Sequence, residues 1–135
     1  MKKGFTLIEM LIVLGVLAVL LGIGVFNFIK FRKTLELRQA QQVFVQELNR
    51  ARSDARKLSQ DQKITWTAHQ LTIGARVISL GDIELLKLSG SNELIYTAPY
   101  GRLKATDYHF ELRHGELKSQ VRVYGVTGKI KVVGI

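Results

Sequence analysis

Met10–Ile29 is a run of twenty residues without a formal charge, and it follows directly on Lys3-Gly4-Phe5-Thr6-Leu7-Ile8-Glu9. About 20 apolar residues are enough to cross a bilayer as a helix. The order of the parts constrains the chain further. A secretory signal places its small-residue cleavage site behind the apolar core, so the core is lost from the mature protein. Here the small residue, Gly4, stands in front of the core, and cleavage there leaves the membrane segment attached. Glu9 sits at the head of this apolar segment, where a lone carboxylate costs on the order of 2–3 kcal/mol or more. It either stays wet at the interface or finds a positive partner.

The remaining length allows one small domain behind the anchor. The expected division is a leader over residues 1–4, a membrane or filament-core helix over 5–29, an amphipathic helix over 30–58 and a β-rich domain over 59–135. With no cysteine in the chain, neither disulfides nor thiolate metal sites are available. A globular part of about 75 residues is near the size where one core becomes marginal, so support from the helix is expected. Without Lys2 and Lys3, the 20 basic side chains fall to 18 against 11 acidic ones, a balance of +7. That surplus is compatible with an anionic partner.

No proline precedes Pro99, so nothing stops the membrane helix from continuing. Apolar residues recur at Phe31, Leu35, Phe44, Leu48, Ala51, Ala55 and Leu58, and from Phe44 onward the steps alternate four and three, one face of a helix. Arg38, Gln42, Arg50, Asp54 and Lys57 fall on the opposite face. A helix from Phe5 to Leu58 would span roughly 80 Å. Short β-favouring runs follow at 63–67, 71–73, 77–80, 84–88, 94–97, 108–112, 120–124 and 129–133, several bounded by turn residues. Five to seven of the eight are expected as strands. A helix followed by strands indicates an α+β domain, with antiparallel sheets packed on the C-terminal half of the helix.

The Lys-Gly-Phe-Thr-Leu-Ile-Glu head with its apolar run resembles the class III signal of type IV prepilins and pseudopilins. The resemblance implies a pilin fold and cleavage between Gly4 and Phe5 by a membrane-embedded prepilin peptidase, with N-methylation of Phe5. It also implies that Glu9 guides assembly by pairing with the amine of a neighbouring subunit's Phe5. Many pilins carry a proline about 22 residues into the mature chain, and Phe26 stands at that place here. Further along, Leu48 with Ala51-Arg52-Ser53-Asp54-Ala55, then Ile64-Thr65-Trp66, Tyr96, Gly101 and the closing Gly128-Lys129-Ile130-Lys131, are similar to the GspH/FimT branch. Members of that branch are minor pilins or pseudopilins of type IV pili, DNA-uptake systems or type II secretion. The implied partners are other pilins in a filament, the peptidase, the membrane and, in the DNA-uptake case, double-stranded DNA. The implied location is the cytoplasmic membrane, single-pass with a cytoplasmic N-terminus, and then an extracytoplasmic filament.

The C-terminal residues bear on the choice among these systems. A hairpin loop over Gly125–Gly128 sets Tyr124 against Lys129, Arg122 against Lys131 and Gln120 against Val133. Val123 with Ile130 and Val121 with Val132 then point to the core. Lys118, Arg122, Tyr124, Lys129 and Lys131 share the other face. That face is either an ordinary solvated surface with screened charges or a phosphate-binding stripe with Tyr124 for stacking. DNA-uptake pilins of the FimT type close with glycine, arginine, any residue, arginine. Lysine at 129 and 131 keeps the charge without the bidentate fork.

Nothing in the chain forms a catalytic set, and no cofactor is expected. His69, His109 and His114 lack a metal-ligand spacing, and His109 and His114, flanking a strand and turn, are expected to be solvated. Asp82 and Glu84 read as loop and strand-edge residues. Taken with the resemblance, the chain is expected to be a minor pilin or pseudopilin of a type IV pilus or competence system, with a GspH-like type II secretion subunit as the alternative.

Overall fold

The computed structural model describes residues 6–104, 107–125 and 127–134, with positions 24 and 26 as backbone only. Gly4 and Phe5 lie outside the described residues. One helix, α1, runs Leu7–Leu58. Thr6 caps it: the Glu9 backbone N–H donates to Thr6 Oγ1 at 3.3 Å. This is half of a Thr-x-x-Glu capping box, which also sets the acidic side chain in the favourable first turn. The helix stops where Ser59 takes a left-handed φ of 51°, the conformation that closes many helices.

Two compact units divide the chain, Met1–Lys33 and Thr34–Ile135. In the first, the apolar window of the helix has none of its described residues buried, and Leu7, Leu14 and Leu21 are among its widely exposed side chains. It is long and apolar enough to cross a membrane.

In the second unit the helix continues with one buried stripe: Leu37, Ala40, Gln41, Phe44, Leu48, Ala51 and Ala55. The four-and-three spacing from Phe44 to Ala55 therefore marks the packed face, as the periodicity predicts. Leu35 and Leu58 are exposed instead, as is Phe31 in the first unit. The buried stripe begins with Leu37, and the helix has already ended at Leu58, so apolar character alone misplaces both limits. Asp54 is half-buried on the expected polar face because Arg76 reaches it at 3.4 Å.

Nine strands follow among the described residues: β1 Gln62–Trp66, β2 Gln70–Ile73, β3 Arg76–Ser79, β4 Glu84–Ser89, β5 Leu94–Thr97, β6 Arg102–Leu103, β7 Tyr108–His114, β8 Leu117–Val123 and β9 Ile130–Val133. All eight β-favouring runs are strands, more than the five to seven expected. The ninth, β6, has two residues, too few to show a period of two. The strands form two antiparallel sheets, one ordered β3-β2-β1-β5-β6 and the other β4-β7-β8-β9. The fold class is α+β, as the order of elements predicts.

Alternation along the strands delivers the core. Ile64, Leu71, Ile73, Leu94 and Tyr96 of the first sheet and Leu85, Tyr108, Phe110, Leu112, Val121 and Val123 of the second are buried with the helical stripe. Aromatic edges join the three layers: Phe110 lies 5.2 Å from Phe44 of the helix and 5.0 Å from Trp66 of the other sheet, both edge-to-face.

Candidate functional site

The C-terminal hairpin has the expected register. Arg122 pairs with Lys131, Gln120 with Val133, Val121 with Val132 and Val123 with Ile130. The Tyr124 N–H donates to the Lys129 carbonyl at 2.9 Å, and the Gly128 N–H closes the loop on the Tyr124 carbonyl at 2.8 Å. Asp107 Oδ1 accepts from the Gly125 N–H at 2.7 Å and anchors the loop start to the entry of β7. One expectation fails here. Val121 and Val123 are buried, but Ile130 is only half-buried and Val132 is 44% exposed. As the outermost strand of its sheet, β9 turns the valine toward the helix side with no further strand to cover it.

On the outward face the cross-strand rows are ordered by charge. β7 and β8 pair with His109 opposite Arg122, Glu111 opposite Gln120 and Arg113 opposite Lys118. His109, Arg122 and Lys131 therefore form one row across three strands. Side chains opposed in this way stand about 4.5–5.5 Å apart at Cβ. His109 is half-buried here rather than solvated as expected. Its place follows from the Gly115-Glu116 turn joining β7 to β8. That turn fixes His114 against Leu117 and, by counting back, His109 against Arg122. Only the β8–β9 register is read in the sequence, so His109 is missed there.

Lys118 has a different setting from its companions. Glu111, buried among these cations, accepts from Arg113 at 2.8 Å and lies 3.9 Å from Lys118 Nζ. The hydrogen bond from Arg113 is the main cause that holds its carboxyl below the usual range, with the Lys118 charge adding to it. The end of the sheet at Arg113 and Lys118 is thus partly neutralised. Arg122 and Tyr124 are half-buried and Lys129 and Lys131 exposed, and none of the three cations forms an ion pair among the described residues. The Arg122 Nε is buried without a hydrogen-bond partner among the described residues.

The two other histidines lie elsewhere. His69 Nδ1 is 3.1 Å from the Ile83 carbonyl. His114 is mostly buried, with Nδ1 3.6 Å from Glu36 of the helix. It is not solvated, because the alternation of β7 turns it to the same inward face as Phe110 and Leu112.

Residues 1–25 match the family described as Prokaryotic N-terminal methylation motif. No curated protein matches the chain. Among solved structures, the type IV minor pilin FimU of Pseudomonas aeruginosa is similar in fold. The two share 17% sequence identity at a TM-score of 0.61, over 72% of this chain and 92% of that one. The chain thus carries a methylation motif at the head of its long helix, and its fold, one long helix with two antiparallel sheets, resembles the pilin fold of FimU.

Proposed function

We propose that this chain is a minor pilin or pseudopilin that is cleaved between Gly4 and Phe5, N-methylated on Phe5 and built into a filament through its N-terminal helix. One observation carries this reading: the methylation motif covers the head of a helix whose apolar window has none of its described residues buried. Such a surface needs lipid before assembly and the helices of other pilins after it. Before assembly the chain is held in the cytoplasmic membrane with its N-terminus inside. In the filament, Glu9 pairs with the Phe5 amine of a neighbouring subunit. The test co-expresses the chain with a prepilin peptidase and measures the intact mass. The expected product lacks residues 1–4 and carries one added methyl group, and Gly4→Val abolishes both changes. A wild-type chain that keeps its leader beside an active peptidase would refute the reading.

The finer role is DNA uptake, with double-stranded DNA held by Arg122, Tyr124, Lys129 and Lys131 and, at the margin, Lys118. The observation favouring it is the row of His109, Arg122 and Lys131 at the end of the sheet away from Glu111. A GspH-like subunit of type II secretion has the same anchor but a protein partner, so DNA binding separates the two.

A further inference from the structure

Sheet edges present unpaired main-chain groups, and proteins blunt them with bulges, very short strands, covering segments or charged side chains, lysine above all. Three of the four edges here carry a tether, a bulge or a very short strand. On β3, Arg76 reaches back to Glu47 at 3.3 Å and Asp54 at 3.4 Å on the helix. β6 has two residues. β4 shifts register between Lys87 and Ser89, a bulge that interrupts pairing. β9 has no bulge in its register with β8, and its guard against wrong partners is the charge of Lys129 and Lys131. It keeps an unbroken register with β8 over four residues, and Lys131, Val132 and Val133 are exposed.

The direction of its free groups follows from the hairpin. The Tyr124 N–H donates to the Lys129 carbonyl, so these two residues stand at a bonded position of the ladder. Such pairs alternate along an antiparallel ladder, so Arg122–Lys131 and Gln120–Val133 are bonded as well. The N–H and C=O of Ile130 and Val132 therefore point away from β8, into the open edge. Beside that edge, toward the helix, lies a groove of about 460 Å³ lined by Gln41, Gln42, Val45, Gln46, Asn49 and Val132.

We propose that this edge receives an acidic β-strand from a different protein chain, which adds a fifth strand to the β4-β7-β8-β9 sheet. The incoming strand bonds to the main chain of Ile130 and Val132. Its inward side chains, of about valine size, enter the groove over Val45 and Val132. Its outward side chains come beside Lys129 and Lys131, and opposite charges across a strand pair are favourable. The same lysines disfavour two of the registers in which a second copy of this chain could pair. Self-pairing centred on Ile130 or on Lys131 sets lysine against lysine, and such repulsion is how specificity is commonly enforced. The edge lies within residues 34–135 and does not depend on cleavage at Gly4, so this proposal and the processing reading fail independently.

The test uses the full chain in detergent micelles and a short fluorescent peptide alternating glutamate and valine, followed by anisotropy. In an antiparallel incoming strand with valines opposite Ile130 and Val132, the valine N–H groups face β9. The expected result is saturable binding, weakened about tenfold or more (about 1.4 kcal/mol) when lysine replaces glutamate. N-methylation of the valine nitrogens abolishes binding, and N-methylation of the glutamate nitrogens does not. Replacing both Lys129 and Lys131 by glutamate inverts the charge preference. Absence of binding, indifference to valine N-methylation, or an unchanged preference in the double variant each overturns the proposal.

Discussion

The Arg52 guanidinium donates to the Thr127 carbonyl at 2.6 Å, reaching from the helix into the loop of the basic hairpin. Its Nε also donates to the Gly101 carbonyl at 3.3 Å, in the turn between β5 and β6. One side chain thus ties the helix to a turn of each sheet. The two glycines at these turns are close-approach positions with left-handed backbone. Gly101 has φ +62°, and a Cβ there would meet the Arg52 carbonyl at 2.8 Å. Gly128 has φ +60°, and a Cβ there would lie 3.1 Å from the Tyr96 ring.

Gly101→Ala is expected to destabilise the protein by about 2–4 kcal/mol, since left-handed strain of about 1–3 kcal/mol adds to a backbone clash that cannot relax. Arg52→Ala should cost about 1.5–3 kcal/mol, the range for hydrogen bonds from a charged donor. Thermal unfolding of the full chain in micelles ranks the variants. Equal stability of Gly101→Ala and wild type would mean that the turn does not press on the helix.

Tyr96 stands beside this arginine with its hydroxyl buried and unpartnered among the described residues. Burial raises its ionisation well above the ordinary 10, with the Arg52 charge pulling weakly the other way. The folded state therefore keeps a proton that the unfolded chain releases above about pH 10. This contribution is constant below that pH and is lost as pH rises further. Tyr96→Phe should flatten the alkaline fall in melting temperature and leave neutral stability equal or slightly higher, because it removes an unsatisfied buried hydroxyl. An unchanged alkaline limb in Tyr96→Phe would assign the fall to another group.

How much of this could be read from the sequence differs from residue to residue, for physical reasons. Phe44, Leu48, Ala51 and Ala55 declare their face because a helix repeats. The β8–β9 register follows from one glycine-bounded loop. Arg52 stands in a recognisable Ala-Arg-Ser-Asp-Ala passage, but its bonds to Gly101 and Thr127 span 49 and 75 residues. No local pattern encodes contacts at that distance. His114 is misread for the same reason, since its inward direction is set by a strand but its partner Glu36 lies on the helix. Val132 is exposed because of a neighbour that the sheet lacks, which alternation cannot reveal. The Thr6-x-x-Glu9 cap, by contrast, is written in plain local spacing and is overlooked only because Glu9 has a second role to explain.

Glu111 links stability to the charge of the outer face. With its carboxyl held below the ordinary 4.5, chiefly by Arg113, the native state binds its proton less tightly than the unfolded chain. The stability it contributes is complete above that value and is lost as pH falls. Glu111→Gln should shallow the acid limb of a melting-temperature profile. The same change frees Arg113 and Lys118 from their carboxylate, so any polyanion binding by this face should strengthen. A variant with weaker polyanion binding would show that Glu111 organises the surface rather than opposing it.

Binding of random-sequence duplex DNA by the full chain in micelles should distinguish the two ends of the same strand. Lys118 shares Glu111 with Arg113, whereas Arg122 and Lys131 stand opposite each other in a row with no acidic residue. Each cation that neutralises a phosphate contributes about 0.9 to the slope of log affinity against log salt. Arg122→Ala and Lys131→Ala should each lower that slope by about one contact and act uniformly across sequences. Lys118→Ala should change it little in the wild type and more when combined with Glu111→Gln, where the lysine is released. Tyr124→Ala should weaken binding without altering the slope, because stacking displaces no counterions. Equal losses from Lys118→Ala and Arg122→Ala would place the centre of the site elsewhere on the sheet. If the wild-type chain fails to bind at low salt, the DNA-uptake role falls and an assembly subunit with a protein partner remains.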